Sequence, residues 1–324
     1  MQRRTFLSGA ATLAAGLSAP KLFAAPAQTA PFAYPLTHAV SDASDASAPV
    51  VYFTKDVSPE GLIRVYEALK QKVGKTVGLK MTFEAPGAPY LDPALPHALA
   101  KKLHAKMIDN NCYPPRDTAE KHLQVAAGHG FDTKLIDILD AEGYMDLPVK
   151  GKHLTFTRTG SHFANYDTLV SLVRFKAHFL DFYGGTLKNL SICMGTPDGK
   201  RHIHSAGETM SSFSSRVDRT TCEAMADAVK AAMDAKPGRW VFLNVLDVVD
   251  PRDSCDGTKN LGNIGILASA DPVALDQAAI DITFGAAATP ELRAEWEEAH
   301  STMLTQIAED LGIGKTHYRF HSID

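Results

Sequence analysis

Cysteine is scarce in this sequence, and its spacing matches no common metal or cluster site. Only four cysteines occur among 324 residues, and no two of them form the C-x-x-C pair of zinc sites and ferredoxin-type clusters. The spacing therefore gives an iron–sulfur cluster no support. In an oxidising compartment, one or two disulfides are an equally good interpretation. The four are Cys112, Cys193, Cys222 and Cys255.

The motifs of the familiar hydrolases and nucleotide-binding proteins are also missing. The sequence has no G-x-S-x-G elbow, no Walker loop, no H-E-x-x-H and no G-x-G-x-x-G between a strand and a helix. It also lacks an excess of positive charge, because the formal net charge is −4 and becomes −7 when residues 1–27 are left out. We therefore expect no nucleic acid as a partner.

The first 27 residues have the layout of a twin-arginine export signal. They combine paired arginines, two large apolar residues, an apolar stretch and a small-x-small cleavage site, at Arg3 and Arg4, Phe6 and Leu7, 7–17, and Ala25 and Ala27. This stretch is too short to cross a bilayer, so we expect no stable membrane insertion of the mature form. The pattern predicts a periplasmic or otherwise exported protein, carried by the twin-arginine translocation machinery. Many clients of that machinery load a metal or redox cofactor first, which favours a cofactor here.

The remaining sequence predicts a linker followed by an α/β fold. Residues 28–49 are poor in large apolar side chains and indicate a flexible linker. Strand and helix patterns then alternate over 50–324, which predicts a single α/β domain with a layered, mixed, mostly parallel sheet and flanking helices, or two closely packed lobes. Strands are predicted at 50–54, 76–83, 107–109, 135–139, 153–158, 168–175, 240–249 and 264–269, and helices at 59–72, 93–106, 117–128, 218–236, 272–283 and 290–311.

The densest polar cluster follows the predicted strand that ends at Phe175. Ligands of open α/β sheets bind at the carboxyl ends of strands. Two glycines there let the backbone approach a ligand closely, and a helix from Thr186 would point free N–H groups at an anion. The pattern predicts an anion site, with Lys176, His178, Lys188 and Asn189 as catalytic residues and Gly184, Gly185 and Thr186 as cofactor-binding residues. The alternative is a solvated, glycine-hinged loop.

A metal site is a second hypothesis, because imidazole is a common ligand of transition metals. His202 and His204 are two residues apart, so both would face one side of a strand. Carboxylates and a thiol cluster after the strand at 240–249, at a density that suits a divalent cation. The predicted metal ligands are His202, His204, Asp247, Cys255 and Asp256. The alternatives are hydrogen-bonded histidines and an Asp-rich turn.

Several motifs resemble the family of domain of unknown function 362, which is often labelled an uncharacterised iron–sulfur centre protein. They lie at 140–143, 147–151, 175–178, 184–189, 202–207 and 265–276, and the resemblance extends over roughly 50–284. It implies a mixed α/β protein in which Lys176, His178, Lys188 and Asn189 are site residues. The iron–sulfur label derives largely from an appended ferredoxin domain, which this sequence does not show. Relatives often carry an acidic, cysteine-bearing turn, and here 253–256 contains a single cysteine.

Two functions follow from these patterns. The first is an exported metal- or redox-associated enzyme that acts on a small anionic substrate, with a lysine as electrostatic clamp and a histidine as general acid or base. The second is a non-catalytic periplasmic binding protein for a small anion or a metal. The cofactor is open between a metal ion, an iron–sulfur cluster and none, and the reaction is open as well.

Overall fold

A mixed eight-stranded sheet organises the computed structural model, which describes residues 45–178, 182–214, 218–246, 263–286 and 302–324. The strands are β1 Val50–Thr54, β2 Val77–Lys80, β3 Lys106–Asp109, β4 Ile136–Ile138, β5 Tyr144–Pro148, β6 Phe156–Gly160, β7 Thr168–Arg174, β8 Lys176–His178, β9 Phe182–Gly184, β10 Trp240–Leu246, β11 Gly265–Ser269 and β12 Arg319–Ser322. The sheet order is β12-β1-β11-β10-β7-β2-β3-β4. Only β11 runs antiparallel to its two neighbours, so the prediction of a mixed, mostly parallel sheet is confirmed.

Helices cover both faces of this sheet. They are α1 Pro59–Ala68, α2 Ala94–Leu103, α3 Ala119–Gly128, α4 Thr186–Leu190, α5 Pro197–His204, α6 Arg219–Ala235, α7 Pro272–Ile280 and α8 Met303–Asp310. Successive side chains of a strand point to opposite faces. In β10, Val241 and Leu243 accordingly join the apolar core with α1 and α2, whereas Phe242 joins the core with α6 and α7. The sheet therefore separates two buried apolar cores.

Side-chain caps fix where several helices begin. Ser58 accepts the N–H of Gly61 at 3.1 Å, and Pro59 takes the first helical position of α1. Asp271 accepts the N–H groups of Val273 and Ala274, both at 2.9 Å, and so starts α7 as the sequence predicts. In the described part of the chain, no helix is both long and apolar enough to cross a membrane.

The structure differs from the sequence-based prediction at several elements. The helix predicted at 117–128 begins only at Ala119, because Thr118 is its cap: the Thr118 hydroxyl accepts the N–H of Lys121, and Asp117 pairs with the Lys121 ammonium. The strand predicted at 153–158 begins only at Phe156 and forms a separate hairpin of β5 and β6. The edge strand β12 was not predicted. The linker and signal at 1–44, and most of the helix predicted at 290–311, lie outside the described residues.

Strand β6 begins three residues later than predicted because a buried carboxylate binds the backbone that precedes it. Asp227 of α6 is fully buried and accepts the N–H groups of Lys152, His153 and Leu154 at 3.0, 2.7 and 3.0 Å. These N–H groups are thereby unavailable for strand pairing. One aspartate thus holds the loop between β5 and β6 against α6.

Candidate functional site

A cavity of about 690 Å³ opens at the carboxyl ends of β2, β3 and β7. The chain leaves β2 toward β3 and leaves β7 toward β10, so successive connections run in opposite directions at the border between β2 and β7. Open α/β sheets bind ligands at such a switch point, outside the carboxyl ends of the strands. The position of the cavity therefore agrees with the sequence-based expectation for a site after β7.

Basic side chains outnumber acidic ones around this cavity. Among the described residues, the lining includes six basic side chains and two carboxylates: Arg116, Arg174, Lys176, Lys188, Lys200 and Arg201 against Glu84 and Asp109. Arg174 and Lys188 are almost fully buried, at 6% and 9% exposure. Because buried charges interact through a low dielectric, this excess creates a positive potential inside the cavity.

Glu84 and Lys176 form an ion pair at the cavity wall. The Lys176 Nζ lies 2.7 Å from Glu84 Oε1, and both side chains are largely buried. Burial alone would raise the pKa of Glu84, but Lys176, Arg116 and Arg174 together hold that pKa below its ordinary value. Glu84 is therefore ionised at neutral pH, and three basic side chains act on it.

Below the cavity, Lys80 links the ends of β2 and β3 to α4. Its fully buried Nζ donates to Met81 O at 2.9 Å, Asp109 Oδ1 at 2.9 Å and Asn189 Oδ1 at 3.0 Å. The amide of Asn189 in turn donates to Lys80 O at 3.0 Å and Ser171 Oγ at 2.9 Å. These bonds fix the orientation of Asn189, which lines the cavity as the sequence-based hypothesis requires.

His122 of α3 lies next to this network and is held neutral. Its Nε2 is 3.5 Å from Asp109 Oδ2, and its side chain has no solvent exposure. Burial, together with Arg116, Lys200 and Lys80, lowers its pKa to about 4, although Asp109 acts to raise it. The same basic residues that act on the carboxylates thus oppose a positive charge on His122.

A carboxylate of the protein occupies the N-terminus of α4. Asp276 accepts the N–H groups of Thr186 and Leu187, both at 2.8 Å, and the amide of Asn244 at 2.7 Å. A Cβ at Gly185 would lie only 2.6 Å from Asp276 Oδ1, so glycine permits this approach. Gly184 and Gly185 do line the cavity, but the two N–H groups expected to face a ligand already bind Asp276.

Burial raises the pKa of Asp276 to about 6, although the hydrogen bonds from Leu187, Asn244 and Thr186 lower it. The carboxyl is fully buried. Its hydrogen bonds to the first N–H groups of α4 give Asp276 a structural role beside the lining residue Gly185.

The predicted pairing of His202 with His204 is wrong, because this segment is a helix. Thr196 caps α5 by accepting the N–H of Gly199, and residues two apart on a helix point about 200° apart. The His202 ring stacks on Phe156, with centroids 4.8 Å apart, whereas His204 lines the cavity. The backbone of His178 belongs to β8, and its side chain lies outside the description.

A metal or an iron–sulfur cluster does not fit the residues whose positions are known. Asp247, Cys255 and Asp256 lie outside the described residues. Among those that are described, no three His, Cys, Asp or Glu side chains are arranged to hold a metal ion. Cys112 and Cys193 line the cavity, but Cys222 is buried in the apolar core. No disulfide joins the three described cysteines to one another.

Sequence reasoning missed several residues of the site. Most of them share one feature, which is a charge at the carboxyl end of an apolar strand: Lys80 ends β2, Asp109 ends β3 and Arg174 ends β7. This feature is visible in the sequence. Arg116 and Lys200 contribute from a loop and from α5. Lys200 belongs to the polar segment that follows β7 in the sequence, whereas the sequence carried no comparable signal for Arg116.

The fold and the cavity define a layered α/β protein with a basic pocket at the carboxyl edge of its sheet. Residues 77–281 match the family described as Domain of unknown function (DUF362). The match covers more than half of the chain, so the protein belongs to this family. No curated protein matches the sequence.

Two solved structures resemble the chain at low identity. A crystal structure of a protein from Thermotoga maritima gives a TM-score of 0.44 at 12% identity, and covers 79% of this chain and 59% of its own. The lactate racemase apoprotein from Thermoanaerobacterium thermosaccharolyticum gives 0.42 at 11% identity, and covers 72% of this chain and 57% of its own. The chain thus spans less than two thirds of the length of either structure.

Proposed function

We propose that the protein binds a small anionic molecule in the carboxyl-edge cavity and acts on it as an enzyme. One observation carries this proposal, namely the excess of basic side chains over carboxylates in the lining. Each of the two carboxylates already has a lysine at 2.7 to 2.9 Å. A concentration of basic side chains of this kind attracts anions. The buried Arg116 Nε has no acceptor among the described residues, and an anionic ligand would supply one.

The electrostatic effects inside the cavity support the same proposal. Arg116 lowers the pKa of both Glu84 and Asp109, and Lys200 lowers the pKa of Asp109. Arg116 therefore acts on both carboxylates of the cavity, and Lys200 acts on one of them. Strongly perturbed groups clustered in a cleft are typical of active sites, and Lys176 and Lys188 would serve as electrostatic clamps on developing negative charge.

A non-catalytic anion-binding protein is the second candidate, and the hydrogen bonding of the lysines favours it. Lys80 donates to three acceptors, Lys200 donates to Asn111 O and Gly195 O, and Lys176 donates to Glu84. Ammonium groups held in this way act as fixed charges. A protein that only captures its ligand needs fixed charges and no proton transfer.

Binding of anions to matched variants tests the proposal. We would measure binding of inorganic phosphate, acetate and benzoate by calorimetry to wild type, Lys188→Gln and Arg116→Gln, with Lys72→Gln at an exposed position as the control. We expect at least tenfold weaker binding in both cavity variants and unchanged binding in the control. Equal binding in all four proteins, or no binding to wild type, would overturn it. Turnover of a bound anion would distinguish the enzyme from the binding protein.

We also propose, from the sequence pattern alone, that the protein is exported and that it carries a metal. Paired arginines followed by a short apolar stretch support twin-arginine export, which an Arg3→Lys/Arg4→Lys variant tests: we expect it to stay in the cytoplasm while wild type reaches the periplasm. Metal and sulfide analysis of the periplasmic protein tests the metal. A stoichiometric metal lost on Cys255→Ser would support the predicted ligand set, and a metal-free active protein would contradict it.

A further inference from the structure

We propose that the ligand of this cavity is an amphipathic organic anion, a carboxylate or phosphate ester attached to an apolar body of about the size of an aromatic ring. This inference rests on the proposed anion binding and names the class of molecule. Three features of the cavity support it: an apolar wall, an aromatic mouth and two buried donors.

Apolar side chains form part of the cavity lining, and we refer to them as the apolar wall. It comes from the segment after β2, from the end of β7 and from the turn after α4, and comprises Met81, Ala85, Ala88, Leu91, Leu172, Val173 and Ile192. A hydrated inorganic anion would leave this wall in contact with water. An apolar group would displace that water, at a gain of roughly 25 cal/mol per Å² of apolar surface buried.

An exposed phenylalanine and two further rings that contact it line the cavity, and we refer to this aromatic group as its mouth. Phe213 is 48% exposed, an unusual environment for a phenylalanine. Its ring centroid lies 5.8 Å from that of Tyr113 and 5.0 Å from that of His204, and all three residues line the cavity. The Arg201 guanidinium lies 5.3 Å from the Tyr113 ring centroid. Edge-to-face and stacked arrangements are the favoured contacts of aromatic ligands, so this mouth suits a ring that enters behind its charged group.

Two buried donors in the lining lack an acceptor within the part of the chain that is described. They are the Tyr113 hydroxyl and the Arg116 Nε. Burial raises the pKa of Tyr113 to about 12, so its hydroxyl keeps its proton at neutral pH and acts as a donor. A buried donor without an acceptor costs roughly 1–3 kcal/mol. A carboxylate or phosphate oxygen would satisfy both groups.

The size of the cavity agrees with such a ligand. About 690 Å³ lies inside the range of roughly 300–1,000 Å³ that is typical of sites for drug-sized molecules. An inorganic anion alone would occupy only a small part of this space.

Paired probes test the inference. We would measure calorimetric dissociation constants for phosphate against phenyl phosphate and for acetate against benzoate. We expect the aryl member of each pair to bind at least tenfold more tightly. Equal affinities within both pairs would overturn the amphipathic ligand and leave anion binding intact, whereas no binding of any of the four would overturn both.

A variant at the mouth separates the apolar contact from the charge. Phe213→Ala changes an exposed side chain and is therefore expected to fold, and Tyr144→Ala, 59% exposed and away from the cavity lining, is its control. We expect Phe213→Ala to weaken phenyl phosphate several-fold and to leave phosphate affinity unchanged. Equal weakening of both probes, or the same loss in Tyr144→Ala, would contradict the assignment of the mouth.

Discussion

Replacing His122 by leucine should change how the stability of the protein depends on pH. His122 is fully buried beside Asp109 and has a folded-state pKa of about 4 against an ordinary value of 6.5. Burial and the nearby basic residues cause this decrease. Between these two pKa values the unfolded chain binds a proton that the folded chain does not bind, so the histidine destabilises the fold as the pH falls through 6.5 toward 4.

The expected size of the effect follows from the two pKa values. For a shift from 6.5 to 4, lowering the pH from about 7.5 to about 5 removes about 2 kcal/mol from the free energy of unfolding. Leucine has a similar volume and no titratable group, so His122→Leu should not show this loss. Its free energy of unfolding relative to wild type should rise by about 2 kcal/mol over the same interval.

Only the difference between the two proteins isolates this contribution, because Asp276 acts in the opposite direction. Burial raises the pKa of Asp276 from 3.8 to about 6, so the folded state binds its proton first as the pH falls. That group stabilises the fold by about 1 kcal/mol between roughly pH 7.5 and pH 5. The two contributions partly cancel in wild type, and its pH profile alone would hide both.

Urea unfolding at about pH 7.5 and about pH 5 measures the effect, with exposed His321→Leu as the matched control. We expect the control to parallel wild type. A His122→Leu protein that loses as much stability as wild type between these pH values would refute the reasoning that the histidine stays neutral in the fold.

Three further outcomes follow from the described contacts. Asp227→Asn removes the carboxylate that binds three consecutive N–H groups and should lower the free energy of unfolding by about 1–3 kcal/mol in urea unfolding. Iodoacetate should alkylate Cys112 and Cys193 in the folded protein, and buried Cys222 only after unfolding, as read by peptide mass spectrometry. Gly185→Ala places a Cβ 2.6 Å from a buried carboxylate and should lower the thermal midpoint, with a cost of about 1–3 kcal/mol.

Each of these predictions has a control and a contradicting result. Asp234→Asn changes a more exposed carboxylate of the same helix, and an equal loss there would argue against the clamp on the loop. Alkylation of Cys222 at the rate of the cavity thiols would contradict its burial. Gly128→Ala meets no atom within 4 Å, so a similar loss of stability at Gly128 would show that the contact at Gly185 is not the cause.

Local signals in the sequence were sufficient for most of the fold. Ser58 with Pro59 and Asp271 with Pro272 mark helix starts because a cap needs only a few neighbouring residues. Largely apolar runs identified β7 and β10. The sequence did not show β12, because its exposed edge position leaves only a weak apolar pattern. Similarly, the loop at 152–154 is fixed by Asp227, which lies more than 70 residues away.

The sequence predicted part of the lining of the candidate cavity. The polar segment after β7 supplied Lys176, Lys188 and Asn189, all of which line the cavity. The role of Asp276 could not be predicted, since its contact with the start of α4 joins residues 90 positions apart. His202 was misplaced because a helix, and not a strand, carries it. In a strand, two histidines that are two positions apart face the same side. In a helix, with its period of 3.6 residues, they face different sides, so only one of them faces the cavity.

The pairing of β1 constrains when the chain can complete its fold. Val51 lies opposite Ser269 in β11, and Val50 lies opposite Arg319 in β12. At roughly 5–20 residues per second, a ribosome needs about 10–40 seconds to synthesise the chain between β1 and its first partner. Throughout this interval β1, which carries Val51 and Phe53, lacks both of its neighbouring strands. These two side chains are fully buried in the native protein. Folding around β1 is therefore expected to follow synthesis, and a nascent chain that stops before β11 would present an unpaired apolar strand to any protein that binds such strands.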